Sequence, residues 1–170
     1  MDRKFLMDSN CFITPANLYY AFDIVPAFWK EIVKKDRLDR IVLLDLVKKE
    51  IDKGRGVLTD WVDNDLHCEV CNHNDAEIVR AYSEVINYVF NCGLYKQDAG
   101  REWSNNDVAD AWLIAAAAAK GYCLVTFEAR AGGLSSKTPS TRAKIPDVAD
   151  HFNVPVVNLF EMMRLIGIQI

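Results

Sequence analysis

Short, nearly continuous apolar runs alternate with amphipathic stretches along this chain. The runs fall at residues 5–7, 41–44, 122–127 and 154–157. A strand that is apolar at every position, rather than at every second one, is buried on both faces, and the helices between such strands must supply the cover. The pattern predicts a three-layer α/β/α fold around a central, mostly parallel sheet of about four to five strands. In sheets of this kind, sites form beyond the carboxyl ends of the strands, where the strand order reverses. No repeat or linker interrupts the 170 residues, so a single domain spanning 1–170 is expected.

The elements read as follows. Residues 4–8 form a strand closed by Ser9-Asn10, and a helix starts near Pro26 and runs to about Asp36. The strand at 41–44 turns into a helix carrying Leu46, Val47 and Glu50, which Gly54 and Gly56 end. A helix over 58–66 leads into a polar loop with His and Cys residues. A long amphipathic helix over 75–90 turns Ile78, Tyr82, Val85, Ile86 and Val89 inward. Asn105, Asn106 and Asp107 offer caps to a helix over 108–120, which Gly121 stops. A loop at 131–140, a helix begun by Pro146, and a helix over 159–166 complete the chain.

Composition narrows the class. Five cysteines, odd in number and irregularly spaced, read as reduced thiols rather than a disulfide scaffold. The opening Met-Asp-Arg-Lys precedes only a three-residue apolar run, so no secretory leader is expected, and the apolar run at 111–119 is too short to span a bilayer. A cytoplasmic protein without a membrane segment is the expectation. The net charge of −4 argues against a generally nucleic-acid-binding surface, so any such surface must be local.

Four acids stand out because of where the elements place them. Asp8 and Glu128 each follow the end of a strand, Glu50 lies on the helix after the second strand, and Asp110 opens the helix over 108–120. Each alone has a bland reading as a turn cap, a helix-dipole partner or a surface charge. Jointly they fall at one sheet edge, and clustered carboxylates repel one another unless a cation neutralises them. Oxygen donors of this kind suit Mg²⁺ or Mn²⁺, which promote phosphodiester hydrolysis. Asp107 reads as a helix cap with a possible place beside the metal, and Asp147 is a further candidate for that shell.

These segments resemble the PIN-domain family. Asp8-Ser9-Asn10 after an apolar strand is similar to the family's Asp-x-Asn opening. The segments at 47–51 and 109–118 resemble its two internal acid-bearing helices, and Leu124-Val125-Thr126-Phe127-Glu128 its strand with a terminal hydroxyl and acid. The order agrees over essentially the whole chain. An aromatic insertion at 19–29 and Lys144-Ile145-Pro146-Asp147 resemble a bacterial, toxin-like branch. The resemblance implies a metal-dependent endoribonuclease that cuts RNA by metal-activated water and leaves a 5′-phosphate. It implies Asp8, Glu50, Asp110 and Glu128 as catalytic metal ligands, with Asn10 and Thr126 in support. It further implies a homodimer and a cognate antitoxin or regulator, the latter of metallopeptidase-like type in this branch. The chain departs from the pattern in holding Glu128 where many PIN domains have Asp, and in exceeding the minimal toxin's length.

For RNA, the acid-free stretch 130–144 carries Arg130, Lys137, Arg142 and Lys144 directly after Glu128. A phosphate-tracking loop and a merely solvated one are the two readings. Tyr19, Tyr20 and Trp29 could stack bases but read better as core, and Arg101 and Trp103 are further possible RNA contacts. His67, Cys68, Cys71 and His73 are potential zinc ligands, too cramped for paired knuckles and better read as a surface loop. A phosphotransferase with Asp8 as nucleophile would want a second Asp where Asn10 stands. The main alternative is a non-catalytic PIN-like module that binds RNA or protein.

Overall fold

The computed structural model describes residues 3–170, with the backbone alone at 35 and 36. Met1 and Asp2, which open the stretch read for a leader, lie outside the described residues. The strands are β1 (Phe5–Met7), β2 (Ile41–Leu44), β3 (Glu69–Cys71), β4 (Cys123–Val125) and β5 (Val156–Val157). They form one sheet in the order β3-β2-β1-β4-β5, every pair parallel. Leu6 sits beside Val42 on one side and Leu124 on the other. All residues of β1, β2 and β4 are buried, as continuous apolar runs require. The expected three-layer fold with its parallel sheet is what the chain adopts.

Ten α-helices cover the sheet among the described residues: α1 (Asn10–Thr14), α2 (Pro26–Ile32), α3 (Lys35–Leu38), α4 (Asp45–Lys53), α5 (Val57–Asn64), α6 (Ala76–Asn91), α7 (Gln97–Trp103), α8 (Asp110–Lys120), α9 (Ile145–His151) and α10 (Leu159–Leu165). A π-helical turn, Pro15–Tyr19, continues α1. Helix α8 is the central one: Ala111 through Ala117 are buried, and its small side chains let α6 pack closely against it. It ends at Gly121, whose φ of 71° is the left-handed conformation that glycine adopts without strain.

Several local expectations need correction. The helix expected over 26–36 is two, α2 and α3, broken at Val33 and Lys34. The polar loop after α5 contains edge strand β3, which alternation could not reveal in three residues with two exposed. Asn105 to Asp107 form a turn stabilised by Asn105 Oδ1 rather than the caps of α8, which starts after Ala109. Helix α7 has no strong apolar period; it is fixed by packing, with Gly100 against the ring of Phe90 so closely that a Cβ would fall 2.5 Å from it. No helix among the described residues is long and apolar enough to cross a membrane.

Candidate functional site

From β1 the chain moves to β2 and β3 on one side, then returns to β4 and β5 on the other. The order therefore reverses between β1 and β4, and the crevice at their carboxyl ends is the place where a ligand meets loops rather than strands. Asp8 and Thr126 are the first residues beyond these two strands. The Asp8 N–H donates to Val125 O (2.9 Å) and the Thr126 N–H to Val157 O (3.1 Å), so both are held by the ladder although their side chains stand at its end.

Thr126 Oγ1 organises this edge. It donates to Asp8 Oδ2 (2.7 Å) and accepts from Asn10 Nδ2 (3.1 Å) and the Glu128 N–H (3.0 Å). Asn10 Oδ1 accepts from the Phe127 N–H (3.0 Å), closing a ring of bonds between the two strand ends. The hydroxyl is used in both roles and fixes Asp8 Oδ2, while Ser9 Oγ lies 3.5 Å from Asp8 Oδ1.

Asp8 is 6% exposed. Burial pushes its carboxyl up to about 6, the Thr126 bond opposes this, and the charges of Glu50 and Glu128 add to it. Asp110, in the first turn of α8, is pushed up to about 7. Burial is the main cause, followed by the negative charges of Asp8, Glu128, Glu50 and Glu102. The strongest charges acting on Asp110 are thus all negative, and no ion pair to Asp8 or Asp110 is formed among the described residues.

Glu50 is exposed on α4 and lines a cleft of about 520 Å³ between α4–α5 and the 13–23 segment, beside Asn17, Phe22 and Arg55. Glu128 stands in a different relation. Lys144 Nζ donates to its Oε1 (2.7 Å) and the Ile145 N–H, at the start of α9, to its Oε2 (2.6 Å), so both oxygens are engaged. Asp147 Oδ2 accepts from the Ala131 N–H (2.8 Å) and anchors the loop, and Asp107 is exposed in the turn before α8. Glu102 was missed by sequence reasoning: it lies on α7, an element whose pattern gave no signal, yet its charge reaches Asp110.

Among the basic residues, Arg130 pairs with Asp150 (2.9 Å) and Lys144 with Glu128, whereas Lys137 and Arg142 are exposed and form no ion pair among the described residues. Trp29 and Trp103 are core residues, each 2% exposed, and Tyr20 stacks on Phe28. Trp103 therefore has no face to offer RNA, and Arg101 pairs with Asp98 on the surface. The His-Cys segment does not converge. Cys71 Sγ donates to Leu43 O, while His73 Nδ1 lies 2.7 Å from Asp45 Oδ2, and no group of three or more His, Cys, Asp or Glu among the described residues, the four acids included, is placed to hold a metal ion by itself. For the acids this is compatible with Mg²⁺, which keeps several waters and takes only one or two carboxylates directly. Asp8 and Asp110, oxygen donors with no cation paired to them among the described residues, fit such an ion in kind.

A solved structure, VapBC2 from Rickettsia felis bound to a DNA fragment from its promoter, has the same fold. The TM-score is 0.54 at 16% identity, over 91% of this chain and 97% of that one. This likeness supports a PIN-like architecture and the fold alone. No curated protein matches. A family model does match, over residues 5–170, and the chain belongs to that family, described as a domain of unknown function, DUF4411.

Proposed function

We propose that this chain is a divalent-metal-dependent endoribonuclease, with Asp8 and Asp110 as the principal ligands of Mg²⁺ or Mn²⁺ and Glu50 as a third acid at the mouth. One observation carries the reading: two carboxylates, Asp8 buried and Asp110 half-buried, from elements on either side of the strand-order reversal, have acids as their strongest charged neighbours and no cation paired to them. Burying such a pair costs stability unless something positive joins it, and a structural role would not require the cost. A phosphodiester brought to the crevice would need the same positive partner.

The cation, when bound, supplies a Lewis acid that makes water a better nucleophile and offsets charge on the reacting phosphate. Everything else falls to the chain. Thr126 holds Asp8 Oδ2 and Asn10 holds Thr126, which ties the strand ends together and preorganises the carboxylate. The first turn of α8 presents Asp110. Glu128 holds Lys144 and the start of α9, and adds negative field. Lys137 and Arg142 offer uncommitted charge for the phosphate backbone. A cognate antitoxin or regulator and a homodimer, expected from the PIN resemblance, belong to the same proposal.

The test is cleavage of single-stranded RNA with manganese, with EDTA, and with Asp8→Asn and Asp110→Asn. The reading requires activity only in the first case. Full-rate cleavage by either variant would exclude it, and RNA binding without any cleavage or metal uptake would favour the non-catalytic module.

A further inference from the structure

We propose that the cavity at the carboxyl ends of β4 and β5 is a subsite for one unpaired base of the RNA strand. The proposal rests on the ribonuclease reading above. The cavity encloses about 460 Å³ and is walled by Tyr19, Phe127 and Phe160. Small-molecule sites commonly hold about 300–1,000 Å³, so a single base is well within its capacity.

Phe160 meets Tyr19 and Phe127 edge to face, and Tyr19 is tilted against Phe127. The three centroids lie 5.7–6.2 Å apart at interplanar angles of 54–64°. No two rings of this cluster are stacked face to face. Some rings elsewhere lie face to face instead: Phe22 stacks on Trp29 at 4.0 Å and Tyr82 on Trp112 at 3.6 Å, each within 10° of parallel. Tyr19 is also 52% exposed, whereas Phe28 and Trp29 of the packed cluster are buried. An exposed ring with an unstacked face is what an aromatic platform for bases needs.

Charge says what enters. Arg130 is the one cation among the lining residues, and Asp150 already holds it. Glu128 and Glu161 are acidic and line the same space. A phosphate would be repelled there, while a flat, uncharged base with amino groups would not. Asn158 and Glu161 each give one atom to the capping box of α10, Oδ1 and Oε2. That leaves the Asn158 amide N–H groups and Glu161 Oε1 for a base edge. The cavity adjoins the site: Thr126 and Glu128 belong both to this cavity and to the acid-bearing edge. A strand with its phosphate at Asp8 can set a neighbouring base against Tyr19.

The experiment uses a single-stranded oligoribonucleotide carrying one 2-aminopurine, whose fluorescence is quenched by stacking. It is titrated with full-length protein and calcium, under conditions where electrophoresis shows the strand intact. Wild-type protein is expected to quench the probe. Tyr19→Ala should bind about 10- to 100-fold more weakly and lose the quench, and Tyr19→Phe should keep both. Replacing the 2-aminopurine with an abasic site should weaken wild-type binding and leave Tyr19→Ala unaffected. Equal affinity and quenching in Tyr19→Ala would overturn the subsite, as would a Tyr19→Phe variant as impaired as Tyr19→Ala. RNA cleavage by Tyr19→Ala at unchanged KM would overturn it too, with the nuclease reading intact. Wild-type protein that neither binds nor cuts RNA would bring down both.

Discussion

Asp110 and Glu128 lie at the same sheet edge, and their charges act on one another, yet their surroundings are opposite. Glu128 has an ammonium on one oxygen and a helix-terminal N–H on the other. Asp110 has burial and four negative neighbours, which push it up to about 7. The difference separates an acid whose charge the fold already compensates from one whose charge it does not. Proximity alone would have ranked the two equally; compensation distinguishes them.

The largest effect expected from this contrast is on catalysis. Asp110→Asn should reduce manganese-supported RNA cleavage by at least about 10²-fold, the scale on which removing one charge-stabilising group acts. Glu128→Gln should reduce it less, because Gln can still accept from the Ile145 N–H. Gel-resolved initial rates on one RNA, with saturating metal, check the ranking. A Glu128→Gln loss equal to that of Asp110→Asn would break the distinction.

Stability should move in opposite directions. Without metal at pH 7.5, Asp110→Asn should stabilise the fold by about 1–2 kcal/mol, since a half-buried charge without a paired cation is removed. Glu128→Gln should destabilise it by about 1 kcal/mol through loss of a charge-assisted bond. Urea unfolding reads both. Manganese should then raise the wild-type midpoint and leave that of Asp110→Asn nearly fixed.

The same acids set a pH dependence. Raised folded values mean that the native state holds these protons more tightly than the unfolded chain does. Their contribution is therefore fully present below the ordinary value of 3.8 and is lost as pH rises through about 6 for Asp8 and about 7 for Asp110. Metal-free stability should fall across that window, and it should fall less in Asp8→Asn and Asp110→Asn. A stability that rises from pH 4 to 7 equally in all three proteins would contradict the assignment.

The parallel sheet and the acid-bearing edge were legible because they depend on patterns that burial enforces: unbroken apolar runs, and polar residues where those runs stop. Asp8 and Thr126 could be read for that reason. What escaped depended on packing between distant segments. Glu102 sits on a helix defined by the fit of Gly100 against Phe90, and β3 exposes two of its three residues. The salt link of Glu128 to Lys144 joins residues 16 apart across a loop, and no period announces it. Sequence could nominate the four acids but not tell which were already satisfied.

The smallest effect extends the contrast to the basic stretch. Arg130 and Lys144 each face a carboxylate, while Lys137 and Arg142 are exposed without one among the described residues. A cation that already holds an acid releases few counterions when RNA arrives, because its field is largely cancelled. Lys137→Ala and Arg142→Ala should each flatten the log–log salt dependence of RNA binding by about 0.7, the value for one phosphate of a single strand. Arg130→Ala should change it by clearly less, since removing that cation also frees Asp150 to repel the strand at all salt concentrations. Equal slope changes for all three variants would mean that RNA displaces Asp150 from Arg130. In that case the ion pairs of this loop are a resting arrangement, and compensation would mark a binding residue in waiting rather than a structural one.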